Sequence, residues 1–257
     1  MIQKFVEELE DAHAAATTVG WDFSCLEGKM SADSPWWDFE ADCRAALRKS
    51  VRVVDLGTGG GERLSCLVDD LQGDVPLGQM IWATEGWKEN LWLAMRNLGK
   101  YRIPVFEYDA EADQPMPFAD QSLDLVMSRH EVIDAMEISR VLVPGGQFLT
   151  QQVDGLDAAE LHDWFGSDFQ YLGVNVGEYS KALESVGMEV EVAQEWEGAM
   201  TFADAKALVT YMGLVPWDVP EFSVAAHAER LAELEAAKPI RVSQRRFLIH
   251  ATKKRRS

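Results

Sequence analysis

A chain of 257 residues, 47% apolar and 26% charged, holds enough material for one large α/β domain or a domain with a small appendage. Its formal net charge of −19 comes from 24 basic and 43 acidic residues; the terminal KKRRS takes four of the basic ones, leaving 20 against 43 in residues 1–252. So acidic a body repels a polyanion and argues against nucleic acid as partner, the basic tail reading as a solvated terminus.

Cys25, Cys43 and Cys66 are unevenly spaced with no CxxC pair, which argues against a disulfide framework or a zinc site and for a reducing compartment. No metal is expected. The N-terminus lacks a signal-type core and no apolar run approaches a membrane span, so the expectation is a cytoplasmic protein without a membrane partner.

Phe5, Leu9, Ala12 and Ala16 share one helical face, so residues 2–18 read as an amphipathic helix. An aromatic, turn-rich segment follows over 20–39, then a helix near 40–49. A strand–helix alternation begins at VRVVDLG (51–57), apolar on both faces as a strand inside a parallel sheet is. Leu64, Leu67, Val68 and Leu71 stripe the next helix. QMIWATE (79–85) is a second strand and KENLWLAMRNL (88–98) a second helix; IPVFEYDA (103–110) and LDLVMS (123–128) are the third and fourth strands. A helix through AMEISRVL (135–142) stops at PGG, and QFLTQQV (147–153) is the fifth strand. Then come a helix at 178–187, a strand at 188–198, helical stretches near 202–213 and 223–237, and a last strand at 245–252. The repeated β–α unit predicts an α/β fold: a doubly wound, mainly parallel seven-stranded sheet with helices on both faces. Residues 1–49 form an N-terminal helical and aromatic lid segment and 50–257 the main domain, with a helical insertion at about 200–240 before the last strand.

VVDLGTGGGERL places Gly57, Gly59, Gly60 and Gly61 between the first strand and the first helix, where open α/β sheets bind ligands. The loop lacks the Gly-Lys-Ser/Thr ending of a phosphate loop, and Glu62 stands where a dinucleotide fingerprint needs its third glycine. Asp55 before the loop and Glu62 after it disfavour a pyrophosphate and suit a ligand with positive charge and no phosphate, such as S-adenosylmethionine.

Over residues 50–153 the ordered motifs resemble those of the class I S-adenosylmethionine-dependent methyltransferases. VVDLGTGGG is similar to their first motif, ATEGWKENL to the second, FEYDAE to the third, and MPFADQSLDLVMSRH with EISRVLVPGGQFL to the fourth and its sequel. The resemblance implies S-adenosylmethionine as cofactor, held by Asp55, Gly57, Thr58, Gly59, Gly60 and Gly61. It further implies Glu85 on the ribose hydroxyls, Asp109 with Ala110 at the adenine, and Ser128 and Arg129 beside the cofactor. Gly86 and Trp87 stand where many relatives carry an aliphatic residue against the adenine. His130, just past the fourth strand, is the expected general base, with Glu131, Asp134 and Tyr171 in reserve. Trp21, Phe23, Trp36, Trp37 and Trp217, with His130, are the expected substrate walls. The implied activity is methyl transfer to a small-molecule acceptor; an RNA or protein methyltransferase and a non-catalytic S-adenosylmethionine-binding protein stay open as alternatives, as does the oligomeric state.

Overall fold

The computed structural model describes residues 2–16, 23–112 and 114–255. The helices are α1 (Ile2–Ala15), α2 (Phe39–Leu47), α3 (Glu62–Leu71), α4 (Lys88–Gly99), α5 (Ala135–Val141), α6 (Ala159–Phe165), α7 (Val176–Ser185), α8 (Ala205–Leu214) and α9 (Ala228–Ala236). The strands are β1 (Met30–Ala32), β2 (Arg52–Leu56), β3 (Met80–Glu85), β4 (Val105–Glu107), β5 (Leu123–Arg129), β6 (Leu142–Val153), β7 (Met188–Phe202) and β8 (Ile240–Lys253). They hydrogen-bond in the order β1-β7-β8-β6-β5-β2-β3-β4. Strands β2 to β6 pair in parallel and β8 runs antiparallel to β6.

Helix starts follow the local chemistry. Asp38, Asp134, Asn175 and Asp204 each accept a backbone N–H of the first turn, which caps α2, α5, α7 and α8.

The chain forms two compact units. One comprises residues 36–153, 173–195 and 246–257; the other comprises 1–35, 154–172 and 196–245. In the first, strand alternation sorts the core onto two faces. Val53, Leu125, Met127, Leu149 and Leu248 pack with α2, α3 and α4, through Cys43, Leu64 and Leu98 among others. Val54, Val126, Phe148, Phe247 and Ile249 pack with α5 and α7, through Ile138, Val141 and Leu183. The second unit builds its own core from Leu9, Leu161, Phe202, Leu208, Leu231 and Val242. Among the described residues no helix is long and apolar enough to cross a membrane.

The sheet has eight strands where seven were expected. The extra one, β1, pairs its three residues antiparallel with Phe202, Thr201 and Met200 of β7, and three residues are too few to show a strand period. Strand β6 also begins earlier than predicted: pairing jumps from Leu123↔Leu142 to Leu125↔Gln147, so Pro-Gly-Gly is an irregularity inside the strand rather than a loop before it. β4 is shorter than the predicted strand, and the helix α6 was not foreseen. The first helix ends at Ala15; residues 17 and 18 of its predicted span, and Trp21, lie outside the described residues.

Candidate functional site

Strand order reverses between β2 and β5, because the chain leaves β2 toward β3 and β4 and returns at β5 toward β6. The glycine loop follows β2, and Ser128, Arg129, His130 and Glu131 close and follow β5, so both segments meet at the switch point. Glu85 ends β3 and Asp109 lies just beyond β4. All of these belong to the unit that holds residues 36–153.

The loop is pinned from several sides. Thr58 N–H donates to Thr84 O at 2.9 Å, Gly61 N–H to Thr58 O at 3.0 Å, and Asn97 Nδ2 of α4 to Gly60 O at 2.9 Å. Gly57 has φ +63°, and a Cβ there would lie 2.5 Å from Glu131 Oε2 and 2.6 Å from Glu131 Cβ. A side chain is therefore excluded by both backbone and neighbour. Gly86 is needed for close approach: its Cβ would stand 3.1 Å from both Tyr108 O and Asp109 Cβ.

Carboxylates dominate the surroundings. Glu85 is 5% exposed, and its carboxylate accepts from the N–H of Trp87 at 2.8 Å and from the N–H groups of Gly59 and Gly86. Burial raises its pKa despite these bonds. Burial also pushes Asp55 up to about 6, against the nearby Thr58 hydroxyl and with the like charge of Glu85. Glu131 is pushed up to about 8, by burial first and then by the negative charges of Glu85, Asp109 and Glu111. Asp109 is half-buried and its Oδ1 accepts from Glu111 N–H at 2.8 Å. Ala110 is half-buried against the core face shared with α5, while Trp87 is 43% exposed at the start of α4. Among the described residues no group of three or more His, Cys, Asp or Glu side chains is arranged to hold a metal ion.

Ser128 is fully buried and its Oγ has no hydrogen-bond partner among the described residues; the same holds for Thr84 Oγ1 at the neighbouring strand end. An unpaired buried hydroxyl costs about 1–3 kcal/mol, so two of them beside one loop mark a place not optimised for stability.

His130 has φ +59°, and its N–H donates to Gln151 O at 2.9 Å. Its Nε2 lies 3.4 Å from Gln151 Nε2. Trp37 Nε1, which can only donate, gives its proton to Gln151 Oε1 at 2.7 Å. Gln151 therefore turns its NH2 toward His130, which makes His130 Nε2 the acceptor and places the ring proton on Nδ1. The His130 side chain is exposed, yet protein crowds around it; that desolvation, with the charges of Arg246 and Arg63, holds its pKa well below the ordinary value. The ring, although it touches solvent, is neutral at pH 7.

Sequence reasoning thus located the loop and the strand-end acids, but missed Asn97, Gln151 and Gln152. Gln152 is 2% exposed and its Nε2 donates to Glu131 O at 2.8 Å and Thr150 Oγ1 at 2.7 Å. The adjacent polar pair Gln151 and Gln152 near the end of QFLTQQV, a strand inside the sheet, was the available signal. Of the reserve bases, Asp134 is committed to capping α5, accepting from Met136 and Glu137 N–H. Trp36 is 68% exposed and meets Trp37 edge-on at 5.4 Å. Phe23 and Trp217 are partly buried against the core of the second unit, to which Tyr171 also belongs.

Compared by sequence alone, the chain matches no family model and no curated protein. Compared by structure, it is similar to YcgJ of Bacillus subtilis, with 19% identity and a TM-score of 0.59 over 85% of this chain and 99% of that one. It is also similar to a Bacillus halodurans protein provisionally named a methyltransferase, with 19% identity and a TM-score of 0.57 over 85% and 99%. A Deinococcus radiodurans protein of unknown function aligns over 97% of both chains, with 15% identity and a TM-score of 0.58. With its strand order, its glycine loop at the switch point and these likenesses, the chain has the fold of the class I S-adenosylmethionine-dependent methyltransferases.

Proposed function

We propose that the protein transfers a methyl group from S-adenosylmethionine to a small-molecule acceptor. The observation that carries this reading is the acid-rimmed glycine cradle: Gly57 leaves no room for a Cβ and Gly86 only a tight fit, and Asp55, Glu85, Glu131 and Asp109 stand around them. Such a hollow disfavours phosphate and suits a ligand bearing a sulfonium and an ammonium. The unpartnered Ser128 hydroxyl in the same strand-end layer fits a site completed by a ligand.

In this reading Asp55 and residues 57–61 receive the methionine end, with Ser128 and Arg129 beside it. Glu85 accepts from the two ribose hydroxyls, Asp109 and Ala110 meet the adenine, and Gly86 with Trp87 flanks it. S-adenosylmethionine supplies an electrophilic methyl on a cationic leaving group, and the chain's part is to hold the acceptor in line with it. His130 stands on the acceptor side as a neutral ring. It accepts a proton where the acceptor must lose one, but at so low a basicity that positioning carries most of the rate. Trp36 and Trp37, set edge-on to one another, offer an apolar wall on the same unit. The acidic body supports a small metabolite over RNA, and a cytoplasmic setting is part of the proposal.

Calorimetric titration with S-adenosylhomocysteine, with NAD in parallel, tests the reading. Binding of the former alone is the expected result, and Glu85→Ala should weaken it by about 1.5–3 kcal/mol, the range for hydrogen bonds to a charged group. Unchanged affinity in Glu85→Ala, or binding of NAD alone, would overturn the cofactor assignment.

A further inference from the structure

We infer that Glu131 is the counter-ion for the positively charged methionine end of the cofactor, and that its carboxyl releases a proton to solvent as the ligand binds. This rests on the reading of the glycine loop as an S-adenosylmethionine site.

The geometry comes first. Glu131 follows β5, and its side chain lies directly over Gly57, as the 2.5 Å and 2.6 Å approaches to a Cβ built there record. Its carbonyl is tied to the buried Gln152, which is itself braced on Thr150, so the backbone is anchored and the side chain alone is left to adjust. A ligand that uses the space beside Gly57 has to meet this carboxyl.

Among the described residues, the charges that act on Glu131 are all negative. Glu85 comes from the end of β3, Asp109 and Glu111 from the turn after β4, and all three act on it as negative charges. Asp55 stands at the end of β2 beside Glu85. Tyr108 and, from α7, Tyr179 complete the surround; both feel the charge of Glu131, and both are pushed up to about 12, chiefly by burial. From α5, Asp134 and Glu137 act on Tyr108. Arg63 and Arg246 act on the adjacent His130.

A carboxyl in this company keeps its proton near neutrality, in line with its rise to about 8. A cationic ligand brings the missing charge. The O–H bond of Glu131 then breaks, its electron pair stays on the carboxylate to face the cation, and the proton leaves to the buffer.

The test is calorimetry of the full-length protein with S-adenosylhomocysteine and with S-adenosylmethionine at pH 7.5, in phosphate and in Tris. Their different ionisation heats report the protons exchanged. Wild type should release roughly 0.7 proton per ligand, and affinity should rise about fivefold from pH 7 to pH 8. Release with both ligands assigns the ammonium and release with S-adenosylmethionine alone the sulfonium; either upholds the inference. E131Q should bind about tenfold more weakly and release almost none. Proton release that is the same in E131Q as in wild type overturns the inference, as does equal release with neutral 5′-methylthioadenosine. Should E131Q not fold, a flat pH profile of wild-type affinity overturns it alone. Failure of wild type to bind either ligand would instead sink the cofactor reading, and this inference with it.

Discussion

Replacing Glu131 by glutamine also probes the acidic hollow in the ligand-free protein. A carboxyl raised from an ordinary 4.5 to about 8 binds its proton more tightly in the folded chain than in the unfolded one. The folded state then gains over the unfolded state below that window, and stability falls as pH rises from about 4.5 to about 8. Each pKa unit is worth 1.36 kcal/mol. Between pH 5 and pH 8 the full span would be roughly 4 kcal/mol, and solvent reaching the half-buried side chain brings the expected loss to about 2–4 kcal/mol. Glutamine has the shape of the protonated acid and no charge to gain. E131Q should match wild type at pH 5 and exceed it by that amount at pH 8, in urea unfolding followed by circular dichroism. Parallel pH profiles for the two proteins would refute the placement of Glu131 among uncompensated acids.

Gly57→Ala puts a Cβ at φ +63° and against Glu131, so a loss of at least about 1–2 kcal/mol is expected in the same denaturation assay; a variant as stable as wild type would mean that Glu131 does not cover Gly57. Gln151→Leu removes the acceptor of the Trp37 indole N–H, at a cost of about 1–2 kcal/mol, and frees His130 Nε2. Nitrogen NMR of the His130 ring should show the Nδ1–H form in wild type and a changed tautomer balance in the variant; identical spectra would break the Trp37–Gln151–His130 chain. At the opposite strand end, Asp124 accepts from Arg52 Nη2 and from Arg52 N–H, both at 2.8 Å, and the Arg52 side chain, through its hydrogen bond, lowers the Asp124 pKa. A depressed carboxyl stabilises above its unfolded value and loses that contribution as pH falls through its folded one. Asp124→Asn should therefore cost about 0.5–1 kcal/mol at pH 7, a figure kept small by partial exposure of both side chains, and less as the pH falls toward 2. An equal difference at both pH values would contradict the ion-pair account.

What could be read along the chain was whatever local periodicity and local chemistry decide. The two-sided apolar run of β2, the stripe of Leu64, Leu67 and Leu71, and the glycines before α3 each announce themselves within a dozen residues. A parallel sheet with its loop at the switch point follows from repeating them. The acids Glu85 and Asp109 were legible as strand-end residues because strand length sets their place. Contacts made across strands were not. Trp37 and Gln151 are separated by 114 positions, and only the pairing of β6 with β5 brings the Gln151 amide to His130. Glu131 was visible as an acid after β5, yet its position over Gly57 depends on how β2 and β5 sit side by side. The same holds for β1, whose three residues become a strand only because β7 offers them a free edge, and for the gathering of residues 1–35, 154–172 and 196–245 into one unit. Sequence period determines which residues are buried together within an element; register and packing between elements decide which charges must share one hollow, and tertiary structure alone supplies those.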